Sequence, residues 1–378
     1  MLYDIPVAKP FFNGNEKKYV NDCMESGWIS SAGKYIELFE NGFAEFCNVK
    51  HAVACCNGTV ALHLALVALG VEPGDEVIVP TLTFVATPNA VTYCGAKPVF
   101  VDSEISTWNL DPQQVEAKIT PRTKGIIAVH LYGHPAKMDE LRKIARRNNL
   151  FLLEDAAEAH GAKCDGKIAG SIGDAAAFSF YANKIITTGE GGMFVTNDDN
   201  LAQRARLLRG QGMDPNRRYW HPVVGYNYRM MNLPAAIGLA QLEIVGQQIE
   251  SRAQIAKLYY ERLKDLPGVT FQEEQSWAQH VYWMFSIVLD PLMWQKRDSI
   301  MEKLSENGIE TRPVFYPAHS MPPYIDSIKG ELFPVAAKLS ANGISLPTWA
   351  GLTEKEINYV CEVLAKCGNN SNRAKIAG

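Results

Sequence analysis

The sequence lacks the features that would place it in a membrane, on nucleic acid or around a metal. No uninterrupted apolar run reaches the ~20 residues a membrane-spanning helix needs. Its 37 lysines and arginines against 41 acidic residues leave a formal charge of −4. Nucleic acid and anionic membranes are therefore not attracted globally, and any anion recognition has to be local. The eight cysteines are scattered: Cys55 and Cys56 are adjacent, five residues separate Cys361 from Cys367, and no CxxC pair occurs. Zinc, or any other metal, is not expected; free thiols in a reducing cytosol are. The start, Met1 to Pro6, has no basic region ahead of an apolar core, which predicts a cytoplasmic chain without a secretory signal. There is no GxxxxGK[ST] phosphate loop and no GxSxG elbow. Gly189-Glu190-Gly191-Gly192 lacks the GxGxxG spacing of a dinucleotide fingerprint and follows a lysine.

What is present is an ordinary globular composition, 47% apolar and 21% charged, in 378 residues. That length predicts two domains. Short apolar runs at 76–80, 98–102, 125–130, 150–155, 175–180 and 192–196 read as strands buried on both faces. Helical stretches at 59–69, 112–118 and 138–148 fill gaps between them. Such alternation predicts an α/β fold whose large domain has a mostly parallel sheet covered on both sides. From about residue 235 a long helix to 263 is predicted, then a strand at 281–289, a helix at 297–307, a strand at 310–315 and a last helix at 353–365. The domain change is placed near 245, giving a large domain 1–245 and a smaller α+β domain 246–378. The first ~30 residues are expected to pack on the small domain, and the polar tail from Gly368 to fray.

The run from Phe178 to Gly192 sets one lysine, Lys184, between an apolar strand and a glycine-rich turn. Desolvation there would lower its pKa and make it a nucleophile toward a carbonyl, through a Schiff base. A surface lysine after an edge strand fits the same pattern. Four other stretches bear on that choice. Asn57-Gly58-Thr59 precedes a strongly apolar helix, with Thr59 a candidate cap and the helix start a ready phosphate site. Glu154, Asp155 and Glu158 follow a buried strand, 29 residues before Lys184 in the case of Asp155, where α/β sheets bind ligands. His160 suits a structural role as well as a catalytic one. Ser179 could reach a phosphate if Lys184 reaches a cofactor. The loop Arg209–His221 interleaves Arg217 and Arg218 with Tyr219 and Trp220, as a local anion site or a solvated loop would. Prolines stiffen Thr311–His319, which holds Arg312, Tyr316 and His319.

In order and spacing these stretches closely resemble the DegT/DnrJ/StrS sugar aminotransferases, which use pyridoxal 5'-phosphate in the aspartate-aminotransferase fold (fold type I). The resemblance implies that the mostly parallel sheet of the large domain is mixed. The resemblance runs from about Ile5 to Leu364. It rests on Gly27-Trp28-Ile29-Ser30-Ser31, Asn57-Gly58-Thr59, Glu154-Asp155, the Lys184 segment with Gly189-Glu190-Gly191-Gly192, and Asn227-Tyr228-Arg229-Met230. It implies that Lys184 holds the cofactor and moves protons, that Asp155 pairs with the pyridine nitrogen, and that Phe84 lies against the ring. Gly58, Thr59 and Ser179 would bind the phosphate. Asn227 would reach the cofactor phosphate of the other subunit, making a homodimer with shared active sites. Glu158 stands where many relatives carry glutamine, near the cofactor hydroxyl. Asn183, Arg217 and Arg218, with Trp28, Ser30, Tyr316 and His319, become candidates for the substrate. The implied reaction moves an amino group from L-glutamate to the C4 ketone of a nucleotide-linked sugar. Dehydratases of this fold carry histidine in place of the lysine. A non-catalytic, cofactor-binding regulator would be supported by a DNA-binding appendage, and none is visible.

Overall fold

The computed structural model describes residues 3–328 and 330–368; the expected frayed tail lies outside them from 369 on. Fourteen strands form three sheets: β1 (His51–Cys55), β2 (Glu76–Pro80), β3 (Lys97–Val101), β4 (Thr123–Val129), β5 (Phe151–Asp155), β6 (Lys163–Cys164), β7 (Lys167–Ile168), β8 (Ala175–Ser179), β9 (Gly192–Thr196), β10 (Val269–Phe271), β11 (Ala278–Gln279), β12 (Phe285–Leu289), β13 (Arg312–Pro313) and β14 (Gly343–Leu346). The large sheet has seven strands in the order β1-β9-β8-β5-β4-β2-β3. Pairing is parallel from β8 through to β3, while β9 runs antiparallel to both β1 and β8. The fold is α/β, with the mostly parallel, mixed sheet expected.

The apolar runs lie in β2, β4, β5, β8 and β9, which are buried along nearly their whole length. β1 escaped the sequence reading because His-Ala-Val-Ala-Cys is short and runs directly into the Asn-Gly-Thr helix start. The helix behind that start, Gly58–Ala68, buries Gly58, Ala61–Leu66 and Ala68. A helix apolar all round has to be enclosed; this one lies between the sheet and the helices Ala86–Tyr93 and Asp199–Arg209. Its cap is Asn57, whose side chain accepts from the amide of Val60 at 3.0 Å. The expectation that Thr59 caps it is corrected: asparagine takes the cap position, and Thr59 lies inside the first turn.

The expected long helix is two, Asn232–Glu243 and Val245–Leu263, separated at Ile244 (φ −111°, ψ 7°). Residues beyond it build the four-stranded antiparallel sheet β10-β12-β14-β13. The expected strand at 310–315 shrinks to Arg312–Pro313, because Pro313 cannot donate to a ladder. The strand at 281–289 begins only at Phe285, after Tyr282 takes a left-handed turn (φ 48°). Tyr259, Phe285, Ile287, Leu304, Ile344 and Leu364 belong to the apolar cluster around this sheet. Buried Arg252 binds the carbonyls of Trp283 and Thr348, tying the helix Val245–Leu263 to it. Ile5 bridges Ile309, while the helix Glu16–Ser26 packs on Asn232–Glu243.

Glu40 is buried beside β1. Its carboxylate accepts from Arg206 (2.9 Å), Arg209 (2.7 Å) and the amide of Ala54 (2.8 Å), joining the helices Lys34–Cys47 and Asp199–Arg209 to the strand. Removing one side of such a buried pair strands the other charges. Glu40→Ala is expected to cost about 3 kcal/mol in urea unfolding, and an unchanged midpoint would contradict this role.

Candidate active site

Strands β2, β4, β5 and β8 run in the same direction and end on one edge. Val129 is level with Asp155, and Asp155 with Ala177. Ser179 closes β8 opposite Gly192 of β9, which brings the glycine-rich turn to the same edge. A cavity of about 770 Å³ opens there. Gly58, Thr59, Phe84, Asp155, Glu158, Ser179, Asn183 and Lys184 all line it. Residues 29 apart in sequence thus meet because one crossover separates two parallel neighbours, β5 and β8.

Lys184 sits in a turn closed by its own amide to the carbonyl of Tyr181 (2.9 Å). Its amine is 3.9 Å from Glu158 Oε1 and lies 3.6 Å from the ring centroid of Trp283, and its side chain is only 10% exposed. Burial pushes the amine below the usual lysine value, while Glu158 and Asp155 pull it back up. Burial likewise pushes the carboxyl of Glu158 up to about 7, against the attraction of Lys184. Asp155 is also raised by burial; Thr87 Oγ1 donates to its Oδ2 at 2.7 Å and the amide of Ala157 to its Oδ1 at 3.2 Å. Among the described residues no cationic side chain forms an ion pair with Asp155 within 4 Å.

The site fits pyridoxal phosphate on observations of its own. The buried, cation-free Asp155 needs a partner such as a protonated ring nitrogen. At Gly58 a Cβ would lie 2.6 Å from Ser179 Cβ, so only glycine lets the helix start approach the end of β8. The first-turn amides of Gly58 and Thr59 remain available for an anion. Nearby, the buried Oδ1 of Asn183 has no hydrogen-bond partner.

The other candidates lie outside the cavity. Trp28 and Ser30 are exposed, their carbonyls accepting from the side chain and amide of Asn232. Arg217 stacks on Trp220 (4.2 Å) and Arg218 on Tyr219 (4.9 Å), on the exposed loop. Asn227 is exposed and bridges Gly210 through its backbone. Tyr316 is exposed beneath the Arg297 guanidinium (5.6 Å). His319 shares a 2.6 Å hydrogen bond with Thr81 and stacks on Phe333. His160 is buried between Phe178 and Phe180 at 5.5 and 5.6 Å, pushed down to about 3 by burial, and does not line the cavity.

Sequence reasoning missed Trp283, Thr83, Thr87, Tyr93, Glu190 and Phe315 as cavity or Asp155-contacting residues, and left Arg312 unassigned. Thr87 lies one helical turn after Phe84, which was the available signal. Trp283 gave none, since a tryptophan in an apolar run reads as core.

A sheet edge carrying a desolvated lysine between carboxylates, beside an open helix start, is a site built for a phosphorylated carbonyl cofactor such as pyridoxal phosphate. The chain belongs to the DegT/DnrJ/EryC1/StrS aminotransferase family, whose model matches residues 11–365. It is 54% identical to GDP-perosamine synthase of Caulobacter vibrioides over 361 residues, covering 95% of this chain and 97% of that one. The GDP-perosamine synthase of Escherichia coli O157:H7 is 50% identical over 358 residues, with 95% and 97% covered. The crystal structure of S. venezuelae DesV in complex with a ketimine intermediate superposes with a TM-score of 0.87 at 36% identity, covering 93% of this chain and 94% of that one.

The raised carboxyl of Glu158 sets a pH dependence. Between the ordinary value of 4.5 and about 7, the unfolded chain ionises this group while the native state resists. The contribution of Glu158 to native stability therefore declines with rising pH across that window. In cofactor-free protein, Glu158→Gln removes this penalty. Its urea midpoint is expected to gain on the parent from pH 5 to pH 8; a constant gap would show that Glu158 titrates normally.

Proposed function

We propose that the chain transfers an amino group from L-glutamate to C4 of GDP-4-keto-6-deoxy-D-mannose, giving GDP-perosamine. The observation that carries the choice of sugar is the identity of 47–54% to GDP-perosamine synthases of three organisms, each over 95% of this chain. The cavity supports the chemistry independently of that likeness.

Pyridoxal phosphate, when bound, supplies a carbon that carries the amino group in transit and a ring that withdraws electrons from it. Asp155 is assigned to the ring nitrogen, Phe84 to the ring face, and Gly58, Thr59 and Ser179 to the phosphate. Lys184 holds the cofactor and carries the proton. A proton carrier must both take and give near neutral pH. Burial lowers the affinity of the amine for a proton, and Glu158 and Asp155 restore part of it. Glu158, fixed by the amide of Tyr132 at 2.7 Å, sets its carboxyl group 3.9 Å from that amine. Asn183 is assigned to the sugar.

We assign Arg217 and Arg218 to the nucleotide diphosphate, and Trp28, Ser30, Tyr316 and His319 to the sugar's surroundings. Asn227 is assigned to the cofactor phosphate of a second copy. What supports a homodimer is the exposed apolar surface near these residues: Tyr219, Trp220 and Val224 on the loop, with Val224 90% exposed, and Trp28 and Ile29 ahead of the second helix. Among the described residues no helix is long and apolar enough to cross a membrane. The division near residue 245 belongs to this reading as well, with the C-terminal part closing over the sugar.

The test is incubation of purified holoenzyme with L-glutamate and each nucleotide-linked 4-keto-6-deoxy sugar in turn. L-Glutamate alone should bleach the visible cofactor band, and GDP-perosamine should form from the GDP sugar. Turnover only with a UDP or dTDP sugar would replace the assigned substrate, and a band indifferent to L-glutamate would favour a regulator. Lys184→Ala should bind cofactor and lose at least about 10³-fold in turnover.

A further inference from the structure

Trp283 is a cavity residue whose contacts have no place in that assignment. It is buried, and its indole meets both a cation and aromatic rings. One face lies under the Lys184 amine at 3.6 Å. Tyr132 stacks on the ring at 6.0 Å and 21°, and Phe315 adds a third aromatic 6.5 Å away. The indole Nε1–H donates to the carbonyl of Asn183 at 2.8 Å, the peptide immediately before the lysine. Its own carbonyl accepts from buried Arg252. A Cβ on Gly133 would lie 2.9 Å from the amide nitrogen of Trp283, so the backbone turn at 132–133 is packed tightly against this residue.

Tyr132 links the two sides of the amine. Its ring stacks on Trp283, and its amide holds the Glu158 carboxylate that lies 3.9 Å from the Lys184 amine. The indole face and the carboxylate are therefore registered to each other through one residue, itself held in a left-handed conformation (φ 57°). A ring face attracts a cationic nitrogen, free or bonded to a cofactor, and has little hold on a neutral one. An indole anchored through its N–H to the lysine's own turn cannot drift away from the amine as a freely rotating side chain would.

We propose that Trp283 is a positioning residue for Lys184, holding its nitrogen in the protonated form between the indole face and the Glu158 carboxylate. The proposal rests on the aminotransferase reading only in taking Lys184 as the proton carrier; it does not depend on which sugar is used. The charged groups facing the amine are Glu158 and Asp155, which favour its proton, and Arg312, which opposes it. His160 lies behind it and is kept neutral by burial. The ring face adds to the two carboxylates and works against desolvation.

The experiment is a pH titration of the visible band of the resting holoenzyme, which reports protonation at the Lys184 nitrogen. Trp283→Leu keeps an apolar filling without a ring face, and its midpoint should fall by about one pH unit. Trp283→Phe retains a weaker face and should fall by less. Because Trp283→Leu also leaves the Asn183 carbonyl without its donor and could fail to fold, fluorinated tryptophans placed at 283 give the second measurement. They keep shape and N–H while weakening the face, so the midpoint should fall stepwise with fluorine number. A midpoint unmoved across the fluorinated series would overturn the proposal, even if Trp283→Leu were inactive. Loss of GDP-perosamine formation with the titration shift intact would refute the sugar assignment instead.

Discussion

A primary amine removed from water beside two buried carboxylates is the constraint on which the rest of this structure depends. Each of these groups would prefer solvent, and each is raised or lowered by burial in the direction that neutralises it. What keeps them charged enough to act is mutual attraction and fixed donors, chiefly Thr87, Ala157 and the amide of Tyr132. Such an arrangement survives only on a rigid frame, because a relaxed pocket would admit water and return each group to its ordinary behaviour. The strands behind it, buried along nearly their whole length, are that frame.

Why the charges gather at one edge is a matter of topology. Parallel strands must leave the sheet in the same direction, so whatever follows β2, β4, β5 and β8 is delivered to the same side. The antiparallel β9 then returns from that side, which is why the turn after Lys184 is short and rich in glycine. At Gly192 a Cβ would lie 2.3 Å from the carbonyl oxygen of Asn57, so the close approach of this turn to the helix cap admits no side chain. Glycine at 58 and at 192 thus serve one purpose: they bring a helix start, a strand end and a turn within reach of the same ligand.

The large sheet was legible because burial on both faces leaves long apolar runs, and Glu76–Pro80 and Gly192–Thr196 were readable to the residue. Lys184, Asp155, Glu158 and the Asn57-Gly58-Thr59 start were legible because chemistry and turn geometry demand unusual residues in unusual places. Trp283 and Thr87 were not, since a buried tryptophan or threonine looks alike whether it packs against a core or against a reactive amine. The break at Ile244 was hidden for a similar reason: apolar spacing continues through it, and Gly246, two residues on, lies inside the second helix. Arg217, Arg218 and Asn227 sit on exposed surface of one chain, so neither their local sequence nor the fold of that chain fixes what they touch.

The adjacent pair Glu154-Asp155 shows most plainly why residue type alone underdetermines a site. Successive residues of a strand point to opposite faces. Glu154 accepts from His130 at 2.9 Å and from the amides of Gly170, Ile172 and Gly173 at 2.7–2.9 Å. His130 takes the amide of Ala136 on its Nδ1, so its Nε2 carries the hydrogen that Glu154 receives. Burial alone would raise Glu154, yet His130 and those amides outweigh it and hold the carboxyl below its ordinary value. Its neighbour Asp155 has two donors and ends up raised. Two carboxylates, equally buried and one residue apart, are thus set to opposite tasks by the number of donors each meets. The saturated one pins the chain segment 170–173 to β5, and the undersaturated one keeps an acceptor free for whatever enters the cavity. A buried acceptor left short of donors is costly unless something supplies them, so the imbalance within this pair marks the face of the strand on which a ligand belongs.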